Sequence, residues 1–176
     1  ESYSKFLIEC LESYDFNKLS LCGHSMGGLI ALEMAMQKNF SVQSIILVNS
    51  IYPTRVAEPL LAKAKASNGG AADFIIKYGL YKRLLGIKNA FSDEDDLVML
   101  DDLEACNSYQ LDLNVIKDLE IPISIILGSK DKLVDLKAVE SFANTVPCKT
   151  HTVEEAGHFL FFEQPNELSK LIAQLA

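Results

Sequence analysis

The chain has 176 residues, is 49% hydrophobic and carries a formal charge of −8. That size and apolar share suffice for one substantial core with room for one insertion. The negative balance argues against nucleic acid or an anionic membrane as partner. The longest predominantly apolar stretches, such as residues 45–48 and 123–127, are strand-length and far short of a bilayer span.

The first 14 residues predict a helix with Tyr3, Phe6, Leu7, Cys10, Leu11 and Tyr14 on its apolar face. Residues 18–22 predict a short strand. A tight turn follows at Gly23-His24-Ser25-Met26-Gly27-Gly28, then a helix that is apolar nearly all round (Leu29, Ile30, Leu32, Met34, Ala35, Met36) and suited to burial behind a sheet. Residues 42–48 are rich in β-branched residues (Val42, Ile45, Ile46, Val48), the mark of a strand covered on both faces.

From Pro53 to about Lys117 helical patches alternate with Ser67-Asn68-Gly69-Gly70 and an acidic stretch, Asp93 to Glu104, with no strand pattern. The expectation is a helical insertion. Residues 121–127 predict a buried strand. A helix follows with Leu136, Val139, Phe142, Ala143 and Val146 on one side. Residues 149–153 predict a fourth strand, and a last helix starts at Pro165 and buries Leu168, Leu171, Ile172 and Leu175. Strands alternating with helices at these spacings imply a parallel α/β sheet. Cys10, Cys22, Cys106 and Cys148 show neither CxxC spacing nor a metal-site register with histidine. They are expected to be reduced, buried thiols of a cytoplasmic protein, without metal or cofactor. No basic stretch followed by an apolar run opens the chain, so no secretory signal is expected.

The chemistry concentrates at Ser25. A strand-to-helix turn with small neighbours exposes one hydroxyl and aims the first helical N–H groups at the oxygen it would attack; Gly23 and Gly27 are expected to provide the clearance. A serine hydroxyl needs a base, and the base needs a group to fix its tautomer. His24 adjoins Ser25 in a sharp turn, so its ring should point away from the hydroxyl. His151 lies inside a strand pattern and suits a structural or surface role. His158, in a turn directly after the fourth strand, falls on the sheet edge that gathers every strand's carboxyl end. Asp131 leaves the third strand through a glycine turn on that same edge, while Asp135 suits the cap of the next helix. The second strand ends in Asn49-Ser50, which offers no competing carboxylate.

The order Ser25, Asp131, His158, in strand–elbow–helix, strand–GxxD and strand–GH settings, resembles the α/β-hydrolase family. The resemblance covers nearly the whole chain. It implies a mostly parallel sheet, with residues 1–50 and 117–176 as the core and 51–116 as a helical lid. It also implies that Ser25 attacks a carbonyl carbon, that His158 takes its proton, that Asp131 holds the imidazole, and that the Met26 N–H is one oxyanion donor. No metal or organic cofactor is implied. The family's first strands, and the loop that supplies the second oxyanion donor, have no counterpart here. A missing N-terminal segment or another chain is therefore expected to complete the sheet, and residues 1–176 alone should turn over esters poorly.

The expected substrate is a small or medium carboxylic ester. Thioester, lactone and carbon–carbon bond hydrolysis are alternatives on the same triad, and a non-catalytic ligand-binding protein is an alternative of another class. Leu133, Val134, Phe159 and Leu160 flank the acid and base and are expected to line the pocket. Phe74, Tyr78, Tyr81, Phe91, Met99 and Tyr109 are expected to form mainly the lid's own core. The acidic stretch suits a solvated helix face, or repulsion of anionic substrates. Arg55, Lys82 and Arg83 are candidate contacts for an acidic carrier protein.

Overall fold

The computed structural model describes residues 2–15, 18–68, 70–82, 84, 87 and 96–176. Four parallel strands form one sheet in the order β1 (Leu19–His24), β2 (Val42–Val48), β3 (Ile123–Gly128), β4 (Cys148–Val153). Register pairs His24 with Val48, Ile45 with Ile123, and Ile126 with His151. Because the strands are parallel, the segments that follow them all emerge at one edge.

Residues alternate between the two sheet faces. Leu21, Ile45, Leu47, Ile123, Ile125 and Leu127 belong to the larger core layer. They pack with α1 (Ser2–Leu11), α2 (Met26–Met36) and α7 (Leu136–Thr145) through side chains such as Ile8, Leu32 and Phe142. Ile46, Val48, Ile126 and Val153 face the other way. They meet Leu160 of α8 (Leu160–Glu163) and Leu168, Leu171, Ile172 and Leu175 of α9 (Pro165–Leu175). Pro165 occupies the first turn of α9, where its missing N–H costs nothing. Coverage on both faces is why β2 and β3 are near-continuous apolar runs.

Between β2 and β3 lie α3 (Glu58–Lys65), α4 (Gly70–Gly79), α5 (Asp96–Ser108) and α6 (Leu113–Lys117). Leu60, Ala64, Ala71 and Met99 give α3, α4 and α5 a small core of their own. Phe91, Arg83 and Asp93 to Asp95 lie outside the described residues, whereas Asp101 and Glu104 are exposed on α5.

Several expectations need correction. α1 ends at Leu11, and its buried residues are Ser4 and Ile8. Tyr3, Phe6, Leu7 and Tyr14, read as an inward face, are 46%, 62%, 40% and 64% exposed. Ser4 faces inward because α1 packs on α2, where Gln37 Nε2 donates to Ser4 Oγ at 2.9 Å. Leu136, read as part of an apolar side, is exposed at the start of α7. Of the cysteines only Cys106 is buried; Cys10 and Cys22 are exposed and Cys148 is partly so.

Candidate active site

Ser25 stands between β1 and α2 with φ 51° and ψ −122°. A serine held in this sparsely populated region costs about 1–3 kcal/mol and persists only where its surroundings enforce it. Enforcement comes from the Ser25 N–H, which donates to Val48 O at 3.0 Å, and from the Gly28 N–H, which donates to Ser25 O at 3.0 Å. Crowding sets which glycines the turn requires. A methyl at Gly23 would overlap the backbone of Gly27 and Gly28, and one at Gly28 would overlap the Ser50 side chain. A methyl at Gly27 would meet nothing within 4 Å. The clearance expected at Gly27 is therefore needed at Gly28, because α2 turns that position toward β2.

Asp131 and His158 meet across the loops after β3 and β4. His158 Nδ1 lies 2.8 Å from Asp131 Oδ2, with both side chains almost fully buried, at 8% and 4% exposure. With Nδ1–H donating to the carboxylate, a neutral ring carries its lone pair on Nε2. The other Asp131 oxygen, Oδ1, accepts the Leu133 N–H at 2.7 Å and the Val134 N–H at 3.2 Å. One carboxylate thus shapes its own turn and orients the imidazole. Asp135 caps α7 separately, accepting the Lys137 N–H at 2.9 Å.

Two further side chains hold this arrangement, and sequence reasoning gave neither a place in it. Asn49, 1% exposed at the end of β2, accepts the Gly128 N–H at 2.8 Å through Oδ1. Its Nδ2 donates to Gly157 O at 3.0 Å and His158 O at 2.7 Å. Its φ of 43° is a conformation that asparagine tolerates better than most residues. His24 Nε2 donates to the same His158 carbonyl at 2.8 Å. Burial, and secondarily the nearby His158 ring, push the His24 imidazole down to about 4, so it is neutral at pH 7. The available signal for both was position: each lies at a strand's carboxyl end.

Ser25, His158, His24 and Met26 open onto one cavity of about 530 Å³. Its other walls are mainly apolar: Ile51 beyond β2, then Val56, Leu60, Phe74, Ile75, Tyr78 and Leu103 from the helical segment. Leu133, Val134 and Phe159 line it. Leu160 does not. It is fully buried against β2 and β3 beneath α9, because α8 begins there and turns the side chain into the sheet's second core layer. Arg55 and Lys132 bring cationic groups to the wall and Asp135 an anionic one, whereas Lys82 is paired with Glu155 elsewhere. Cys106 also reaches the cavity, but burial, with a smaller effect of Asp102, pushes its thiol up to about 11, so it is protonated. His151 sits in β4, away from this edge. Among the described residues no group of three or more His, Cys, Asp or Glu could hold a metal ion, and no helix is long and apolar enough to cross a membrane.

A parallel sheet whose carboxyl edge bears a strained serine elbow and a buried Asp–His pair has the architecture of an α/β hydrolase. The model of the alpha/beta hydrolase family matches residues 4–171, and the chain belongs to that family. It is 24% identical over 178 residues to 3-oxoadipate enol-lactonase 1 of Acinetobacter baylyi, covering 95% of this chain and 67% of that protein. It is 24% identical over 180 residues to the pimeloyl-[acyl-carrier protein] methyl ester esterase of Aromatoleum aromaticum, covering 86% and 71%. Among solved structures, a thermophilic esterase superposes with a TM-score of 0.84 at 22% identity, over 98% of this chain and 71% of that one. An esterase from Exiguobacterium antarcticum gives 0.84 at 16% identity, over 97% and 71%. The family and these relatives support hydrolase activity.

Proposed function

We propose that the protein is a serine hydrolase that cleaves small or medium carboxylic esters through an acyl-enzyme. One observation carries the reading: the buried 2.8 Å His158–Asp131 contact, with Ser25 strained at the elbow on the same cavity wall. In this mechanism His158 Nε2 takes the Ser25 proton as Oγ attacks the carbonyl carbon. Asp131 keeps Nδ1 protonated and stabilises the imidazolium that forms. The Met26 N–H, first in α2 and with no carbonyl four residues earlier in the helix, is one donor to the oxyanion. His158 then protonates the leaving group and activates the water that releases the acid.

The helical segment 51–116 acts as a lid in this reading, since its apolar side chains complete the cavity. Such walls favour an acyl group with little charge. Lactone hydrolysis is the second reading, and the named enol-lactonase relative is what favours it. The exposed free thiols of Cys10 and Cys22 fit a reducing, cytoplasmic setting. The test is steady-state hydrolysis of a panel of p-nitrophenyl esters, thioesters and lactones. Ser25→Ala and His158→Ala should each lower kcat by about 10³-fold or more, and Asp131→Asn by a comparable factor through the wrong imidazole tautomer. A Ser25→Ala protein that keeps wild-type turnover would refute the reading.

A further inference from the structure

We propose that Glu163 is a positioning residue that ties the lid to the general base, so that the lid's backbone sets where His158 stands. The proposal rests on His158 being that base. Glu163 closes the one-turn helix α8, five residues after His158. Its Oε1 accepts the Tyr81 N–H at 2.8 Å and the Lys82 N–H at 2.9 Å, just past the end of α4. Its Oε2 accepts the Gly157 N–H at 2.7 Å. One carboxylate therefore bridges lid backbone and the residue preceding His158.

The two segments also touch directly. The His158 N–H donates to Gly79 O at 2.6 Å. A methyl on Gly157 would lie 2.8 Å from Tyr81 N, so only glycine permits this approach. Lys82 Nζ reaches Glu155 Oε2 at 2.9 Å on the exposed side, on the same two segments. From the sheet side, Asn49 and His24 hold the carbonyls of residues 157 and 158. The His158 loop is thus clamped between sheet and lid, and displacement of residues 79–82 carries residues 157–158 with it.

Glu163 fits this task because three N–H donors converge on two oxygens that only accept. In Glu163→Gln one oxygen becomes an NH₂ that faces either Gly157 N–H or the Tyr81 and Lys82 pair, so one half of the bridge is lost. Proton transfer depends on sub-ångström placement, and a misplacement near 1 Å costs about 10²-fold. The expected loss in Glu163→Gln is about 10- to 100-fold in the second-order rate at which a fluorophosphonate labels Ser25. The pH midpoint of labelling should stay in place while its plateau falls, as displacement requires.

Amide hydrogen exchange tests the tether without catalysis. In the wild-type protein the amides of 81, 82 and 157 should exchange through one opening event. In Glu163→Gln, 157 and the 81–82 pair should instead open separately, with the half that faces the new NH₂ losing protection, while residues 125–127 of β3 keep theirs. Separate opening of 157 and the 81–82 pair in the wild type would overturn the proposal, whether or not the variant folds. So would a Glu163→Gln labelling rate within twofold of wild type, or a shifted midpoint, which would mean action through charge. A wild-type protein that takes no label on Ser25 would instead sink the enzyme reading, and the proposed role of His158 with it.

Discussion

Replacing Asn49 by aspartate isolates the clamp at the sheet edge. Asn49→Asp preserves shape, tolerance of positive φ and the acceptor for the Gly128 N–H, but puts an oxygen where Nδ2 now donates to two carbonyls at 3.0 and 2.7 Å. His158 O keeps its bond from His24, and a protonated carboxyl keeps one O–H for Gly157 O, so Gly157 O loses its partner only when the carboxyl ionises. An unmade bond at a buried acceptor costs about 1–3 kcal/mol. The new carboxyl, 99% buried and facing carbonyl oxygens, is driven toward its protonated form. If it rises from about 3.9 to about 6, ionising conditions add about 3 kcal/mol. Between those values the native state binds the proton that the unfolded state has released, so the added cost appears as pH rises. Urea unfolding of variant and wild type should therefore differ by about 1 kcal/mol or less near pH 4 and by about 3–4 kcal/mol at pH 8. A difference that is flat in pH, or that shrinks toward pH 8, would refute the reasoning.

The remaining expectations concern the elbow and His24. With its native value near 4 against an ordinary 6.5, His24 stays neutral while the unfolded chain binds a proton. Its contribution is therefore lost as pH falls from about 6.5 to about 4, by at most about 3 kcal/mol; His24→Gln, which keeps a donor for the His158 carbonyl, should flatten that part of the urea-unfolding profile. Gly27→Ala should leave stability unchanged or raise it by up to about 1 kcal/mol on thermal melting, because nothing crowds the position and alanine favours the helix. Gly28→Ala should cost about 1–3 kcal/mol by overpacking, with much of the loss restored in the double variant with Ser50→Gly. The Ser50 hydroxyl is buried with no hydrogen-bond partner among the described residues, so Ser50→Ala should stabilise the protein by about 1 kcal/mol in the same melts.

The sheet and the edge of interest were legible because both rest on short-range patterns. The stretch rich in β-branched residues before Asn49 and the apolar run before Gly128 could only be covered strands, and parallel strands gather their exits on one edge. Ser25, Asp131 and His158 were reachable by that rule. Helix periodicity, by contrast, identifies residues that share a face without saying which face is covered. In α1 the burial of Ser4 and Ile8 is decided by contact with α2, not by the more apolar stripe of Tyr3, Phe6 and Leu7. Gly27 and Gly28 are equivalent in the motif and differ only in which one α2 turns toward Ser50. The clamp built by Asn49 joins residues 79 and 109 positions away, a pairing that no local pattern encodes. Glu163 was hidden for the same reason, since two of its three partners are main-chain groups just past the distant helix α4.

The account depends most directly on Ser25 being the nucleophile of a relay through His158 and Asp131. Incubation with a fluorophosphonate, followed by digestion and mass spectrometry, reads that out as the residue that carries the adduct. The account predicts one phosphonyl group per chain on Ser25, absent from Ser25→Ala and slowed by orders of magnitude in His158→Ala. An adduct on a different residue, or equal labelling of wild type and His158→Ala, would contradict it.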